Sequence, residues 1–138
     1  VGDERDETLS EAFWSVARKL RHTSRETLAP WQISPSHSRA LGVLMRHGQM
    51  RLSDLSEHLR IAPRSTTEVV DVLQEHGFLE RHPDPDDRRA TLISLTDEGR
   101  RTGEAIRAAR AAEAERSFGA LSETDRQQLA RILRKLRD

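Results

Sequence analysis

The chain has 138 residues, of which 35% are hydrophobic, 4% aromatic and 33% charged: the length of one compact domain, with little apolar material for a core. No run approaches the roughly 20 apolar residues that span a bilayer, no signal peptide is read at the start, and there is no cysteine; disulfides, thiol sensing and cysteine zinc sites are excluded, and a cytoplasmic protein without cofactor is expected. The formal net charge is zero but segregated, with six basic residues against one acidic over 15–48, six against nine over 49–95, ten against six over 99–138, and one against five in the first fourteen.

From Thr8 to Leu28, the residues Leu9, Ala12, Phe13, Val16, Ala17 and Leu20 recur on one stripe, which predicts an amphipathic helix. Ser34-Pro35 then supplies an N-cap and a first-turn proline for a second helix that carries Ala40, Leu41 and Leu44 and stops near Gly48. A short third helix is expected over Ser53–Leu59, capped by Ser53, with Leu52, Leu55 and Leu59 as its apolar positions. Ile61-Ala62-Pro63 makes a turn, and Pro63 opens a fourth helix that runs to about His76, with Gly77 at the left-handed stop. Helices two to four are short and closely joined, the spacing of a helix-turn-helix.

The period then changes. Phe78–His82 and Thr91–Leu95 are strand candidates, and the polar run from Pro83 to Ala90 between them is expected to form a hairpin tip. Thr96 caps a long alanine-rich helix from Gly99 to about Phe118, with Asp97 and Glu98 in its first turn and a thin stripe of Ile106, Ala109 and Ala112. A last helix starts with a capping box, Ser122 and Asp125, and carries Leu129, Ile132, Leu133 and Leu136 on one face. The chain therefore reads as one mainly α domain, residues 1–138, in which a winged helix-turn-helix lobe (34–95) lies between two helical arms (8–30 and 99–138). The arms' apolar faces, Leu9-Phe13-Val16-Leu20 and Leu129-Ile132-Leu133-Leu136, have no obvious cover within the lobe; burial against a second copy is the simplest solution, and a homodimer is expected.

Two places could carry recognition chemistry. The fourth helix should bury Thr66, Val69, Val70 and Leu73 and present Arg64, Ser65, Thr67 and Glu68 at its N-terminal end. That is where a recognition helix meets base edges: Arg suits guanine, hydroxyls read base or phosphate, and a carboxylate accepts from cytosine. The alternative is an ordinary solvated helix start. In the hairpin, Arg88 and Arg89 follow Asp84, Asp86 and Asp87. An aspartate, with Asp87 the first choice, would tie down the turn and orient the arginine two residues on, which a narrow minor groove attracts; the alternative is a solvated charged turn. With no net charge to draw on, any DNA contact must come from such individually placed arginines. No nucleophile elbow or Gly-rich phosphate loop is present, and the six histidines (His22, His37, His47, His58, His76, His82) never fall three to five apart, so neither an enzyme nor a metal site is expected.

The run Asp87-Arg88-Arg89-Ala90-Thr91-Leu92-Ile93-Ser94-Leu95-Thr96-Asp97-Glu98-Gly99 resembles the wing signature of the multiple antibiotic resistance regulator (MarR) family: D-x-R, a short apolar strand, then L-T-x-x-G. Leu52 to Leu59 is similar to that family's third helix, and Val70 to Arg81 to its V-D-x-L-x-x-x-G junction into the wing. The resemblance implies a triangular dimer built on the terminal helices, with one winged lobe at each lower corner and a pseudo-palindromic operator as partner. It implies Arg89 as the minor-groove arginine, Asp87 as its orienting acid, and DNA contacts from Arg64, Ser65 and Thr67. Glu68 departs from the basic residue often found there and puts a phosphate contact at that point in doubt. Many members of the family are released from DNA by small aromatic or phenolic ligands held between dimer helices and lobe; Trp14, His22, Trp31 and His37 are candidates to line such a crevice, against their alternative as packing, capping or solvated residues. The absence of cysteine excludes the thiol oxidation used by the organic-peroxide branch. The competing reading is a winged-helix module that binds a protein partner and no DNA, which the acidic middle segment favours.

Overall fold

Hydroxyl side chains start four of the helices. Thr8, Ser34, Thr96 and Ser122 each accept a hydrogen bond from the backbone N–H three residues on, satisfying one of the donors a helix start leaves free. In the computed structural model, which describes residues 6–138, these caps open α1 (Leu9–Leu28), α2 (Pro35–His47), α5 (Asp97–Phe118) and α6 (Glu123–Arg137). A 3₁₀ turn (Ala29–Trp31) links α1 to α2. Between α2 and α5 lie β1 (Met50–Arg51), α3 (Leu52–Leu59), α4 (Pro63–Glu75), β2 (Leu79–Asp84) and β3 (Asp87–Leu95). The strands form one antiparallel sheet in the order β1-β3-β2.

A leucine-rich core fills the lobe: Leu41, Leu44, Leu55, Leu59, Leu73 and Ile93 are closed off from water. Leu28, at the end of α1, and Ile106, in α5, enter the same core, so each arm is rooted in the lobe. Away from the roots the arms are bare. Leu9 is 88% exposed and Leu136 74%, Phe13, Val16, Ile132 and Leu133 are exposed too, and α6 buries no residue. Leu20 and Leu129 are half-buried.

One junction ties three elements together. Gly77 ends α4 with φ +81°, a left-handed conformation that glycine adopts without steric cost. The adjoining Phe78 carbonyl accepts the Thr96 N–H at 3.0 Å, and the Thr96 hydroxyl donates to the Gly77 carbonyl at 2.6 Å. The first turn of α5 lies so close that a Cβ on Gly99 would sit 2.0 Å from the Phe78 oxygen. The glycine of the L-T-x-x-G pattern is thus required by backbone proximity.

Several boundaries differ from the sequence expectation. Ser53 does not cap α3: the helix begins at Leu52 and its N-cap is Arg51, which makes no side-chain cap bond. The cause is β1, unpredicted, where Met50 and Arg51 pair with Ile93 and Leu92 and deliver the chain directly into the helix. The wing strands are longer than expected, and Asp84 pairs with Asp87, so the turn shrinks from Pro83–Ala90 to Pro85-Asp86. The buried stripe of α5 comprises Gly99, Thr102, Gly103, Ile106 and Glu113; Ala109 is only half-buried and Ala112 is exposed. Close approach of the Phe78 backbone at Gly99 and of the Met45 side chain at Gly103 puts these two glycines on that stripe. Ser122 caps α6 by accepting the Asp125 N–H at 3.1 Å, but the return bond from the Ser122 N–H to the Asp125 side chain is not made, so the expected capping box is half formed.

Candidate nucleic-acid interface

The inner face of α4 is fixed first. Val69, Val70 and Leu73 are buried in the core, and Thr66 is fully enclosed. The Thr66 hydroxyl accepts from Ser56 Oγ at 2.9 Å and donates to the Ala62 carbonyl at 3.2 Å, joining α3 to α4. Its neighbour Thr67 is half-buried and donates to the Pro63 carbonyl at 3.0 Å, which leaves an oxygen lone pair facing outward. Arg64, Ser65 and Glu68 are exposed. Ala62, the N-cap, has no side-chain acceptor, so the first N–H groups of α4 carry no internal cap.

The wing is held to this helix by the arginine and the acid of the V-D-x-L junction. Arg81 on β2 bonds to both Asp71 and Gln74 on α4. On its other side the wing is held by Asp84, which is only 7% exposed. One Asp84 oxygen accepts the Asp86 N–H at 2.9 Å and closes the turn; the other accepts Arg51 Nε–H at 2.7 Å from β1. The Asp86 N–H and the Arg51 guanidinium hold the Asp84 carboxyl below the usual carboxylate range, against the opposing effect of its burial.

Asp87, expected to tie down the turn and to orient the arginine two residues on, is exposed and accepts the Arg89 N–H at 3.0 Å; the turn itself is tied by Asp84 instead. Asp87 fixes the main chain of the arginine, while Asp84 fixes the turn. Arg88 and Arg89 are exposed and lie on β3, just past the turn. Asp84 had no distinguishing mark in the sequence, because its partner is 33 residues away.

The four crevice candidates are not gathered at one place. Trp14 is exposed on α1, edge-on to Phe13, and His22 pairs with Glu26 on the surface at 3.0 Å. Trp31 packs against the core. The N–H of Ser34 donates to His37 Nδ1 at 3.0 Å, completing the capping box of α2, and burial, then the nearby His76, lowers the pKa of His37, as an acceptor imidazole requires. A cavity of about 820 Å³ does lie between α2 and α5, but none of the four lines it; Arg39, Arg46, Arg107 and Arg110 do. Among the described residues no group of three His, Asp or Glu is placed to hold a metal ion, and no helix is long and apolar enough to cross a membrane.

Comparison with known proteins matches this architecture. Residues 33–91 fit the model of the MarR family. The HTH-type transcriptional repressor MdtR of Bacillus subtilis is 29% identical over 134 residues, covering 95% of this chain and 86% of its own. The HTH-type transcriptional regulator YkoM of the same organism is 30% identical over 127 residues, 92% of this chain and 80% of its own. Among solved structures, the transcriptional repressor CouR bound to a 23-mer DNA duplex superposes with a TM-score of 0.86 at 24% identity, covering 98% of this chain and 96% of CouR. With its winged lobe matching the family model and nearly its whole length aligned with such regulators, the chain belongs to the MarR family, one of transcriptional regulators rather than enzymes.

Proposed function

We propose that the protein is a sequence-specific DNA-binding repressor that acts as a homodimer on an inverted-repeat operator, with α4 in the major groove and Arg89 in the minor groove. One observation carries the reading. The exposed edge of α4 and the Arg88-Arg89 arm are locked to a common frame, through Arg81 with Asp71 and Arg51 with Asp84, while their own polar ends face water. Rigid scaffolding behind solvent-facing recognition groups is what a preorganised interface requires. CouR, solved on a DNA duplex, and MdtR, a repressor, support the same reading for this chain.

The bare faces of α1 and α6 supply the reason for two copies. Each leucine-sized side chain moved from water into an interface contributes roughly 1.5–3 kcal/mol, so Leu9, Phe13, Val16, Ile132, Leu133 and Leu136 together hold enough to drive association. A two-fold dimer then sets half-sites about one helical turn apart, roughly 10 bp. Glu68 sits where it would accept from a cytosine amino group and so alter base preference. The effector is a small aromatic carboxylate or phenol that seats in the α2–α5 cavity, its anion facing Arg46 and Arg107.

The test is selection of bound duplexes from a random-sequence pool, followed by mobility shift over a salt series. An enriched inverted repeat, bound more weakly as salt rises, is expected. A pool with no enriched sequence and no salt-dependent shift would replace this reading with the protein-interaction module. Adding a panel of aromatic acids and phenols to the complex tests the effector: one of them should release DNA from the wild-type protein and act more weakly on Arg46→Ala, and no response marks a ligand-independent regulator.

A further inference from the structure

The wing overhangs its own sheet. β1 supplies only two residues, paired with Ile93 and Leu92, so from Thr91 to the turn the wing is a two-stranded ribbon of β2 and β3. Two strands alone are marginal in water and twist more freely than a wider sheet. The ribbon also carries a register irregularity at Pro83/Asp84, a further source of bending. Yet Arg89 lies on this overhang, and a guanidinium that must enter a groove needs a defined approach.

The side chain of Arg51 spans the gap. It leaves β1 at the last residue before α3, reaches past β3 and donates to the buried Asp84 at 2.7 Å. The other Asp84 oxygen grips the Asp86 N–H, and one residue later Asp87 grips the Arg89 N–H. The links form a continuous path: α3, Arg51, Asp84, the Pro85-Asp86 turn, Asp87, Arg89. Arg51 is the only basic side chain paired with Asp84 among the described residues, and it is charged at every accessible pH.

We propose that Arg51 and Asp84 are positioning residues for Arg89, a strut that fixes the angle at which the wing presents its arginine to DNA. The proposal rests on the DNA-binding reading above, but its structural half can be measured without DNA. Arg51→Met keeps an unbranched side chain and removes the charge; Asp84→Asn keeps an oxygen for the Asp86 N–H and loses the ion pair.

Hydrogen exchange of the Asp86 and Arg89 amides should accelerate in both variants while the buried turns of α4 keep their protection. Binding to the duplex selected by the wild-type protein, read by fluorescence anisotropy, should weaken about tenfold in each. The deciding measurement is the double-mutant cycle with Arg89→Ala. A strut that acts through Arg89 has nothing left to position once Arg89 is gone, so Arg51→Met should then change affinity by less than about twofold.

If Arg51 instead touches a phosphate, its loss adds fully to that of Arg89→Ala and makes the salt dependence shallower by about one charge, and Asp84→Asn binds more tightly because an acid has left the interface. Either result overturns the proposal, as does faster amide exchange with unchanged affinity. Should Arg51→Met fail to fold by circular dichroism, Asp84→Asn and the cycle built on it decide alone. A wild-type protein that selects no duplex sinks the functional reading instead; faster amide exchange in the variants would then still establish the strut as a structural feature.

Discussion

Two glycines on the same face of α5 should respond in opposite ways to alanine. At Gly99 the added Cβ would lie 2.0 Å from the Phe78 oxygen and 2.9 Å from its carbon, against an ordinary contact of 3.4 Å or more. The obstacle is backbone, and it is pinned, because the same carbonyl accepts the Thr96 N–H. The helix must back away by more than an ångström and give up that hydrogen bond. Overpacking costs about 1–3 kcal/mol and the lost bond about 1, for a total of roughly 2–4 kcal/mol; helix propensity returns little at a first turn. At about 4 °C per kcal/mol for a chain of this size, Tm should fall by roughly 8–16 °C. At Gly103 the added Cβ would meet Met45 Sδ at 2.2 Å, the far part of a flexible, half-buried side chain. Methionine can rotate away, and alanine gains up to about 1 kcal/mol of helix propensity. Calorimetry at one fixed protein concentration should place Gly103→Ala within about 4 °C of wild type. Equal losses in the two variants, or a Gly99→Ala protein that melts like wild type, would refute the backbone-proximity argument.

Arg89→Ala should leave fold and dimer intact, weaken DNA binding by about 1–3 kcal/mol and make the salt slope shallower by about one charge; Asp87→Ala should weaken binding as well, and tighter binding at every salt concentration would show that the acid is only a tolerated repulsion. Leu133→Asp with Leu136→Asp should halve the mass seen by light scattering, and a variant that stays dimeric would exclude α6 from the interface. The Asp84 carboxyl is held below its ordinary range, so its contribution is complete above the unfolded carboxylate value near pH 3.9 and is lost as pH falls through the lower folded value. Asp84→Asn should therefore flatten the acid limb of a stability-versus-pH curve, and an unchanged limb would contradict the assignment. Arg60, which ends α3 in the left-handed region with φ 55°, should gain about 1 kcal/mol on change to glycine, measured by urea denaturation; a loss would mean its side chain holds the turn.

Helices were legible where periodicity and caps agree, as at Ser34, Thr96 and Ser122, because both signals are local; α1 was legible from its apolar stripe alone, without its Thr8 cap. The α4 face of Thr66, Val69, Val70 and Leu73 and the bare faces of α1 and α6 could be read for the same reason. What escaped depends on distant partners. Met50-Arg51 has no strand signature and becomes a strand only by pairing with β3, which in turn removed the cap expected of Ser53. The Asp87–Ala90 run reads as loop because its residues are polar, yet the ladder with β2 extends it. Three aspartates at the wing look alike in sequence; burial alone singles out Asp84. Trp14, His22, Trp31 and His37 were grouped by residue type, and type carries no information about which of them converge.

The knot at Gly77, Phe78 and Thr96 has a mechanical consequence. α5 has 22 residues and is therefore an arm roughly 33 Å long, clamped at one end to the point where α4 stops and the wing begins. Its root is gripped on the α4 side, while farther along it runs beside α1, where Arg110 reaches Ser24. A sideways displacement of 1 Å at Phe118 would turn the clamp by about 2°. Because α4 and the wing share that clamp, the turn is delivered to both at once. α4 and the wing then swing as a single head, and a small strain far from them changes their joint bearing rather than the spacing between them.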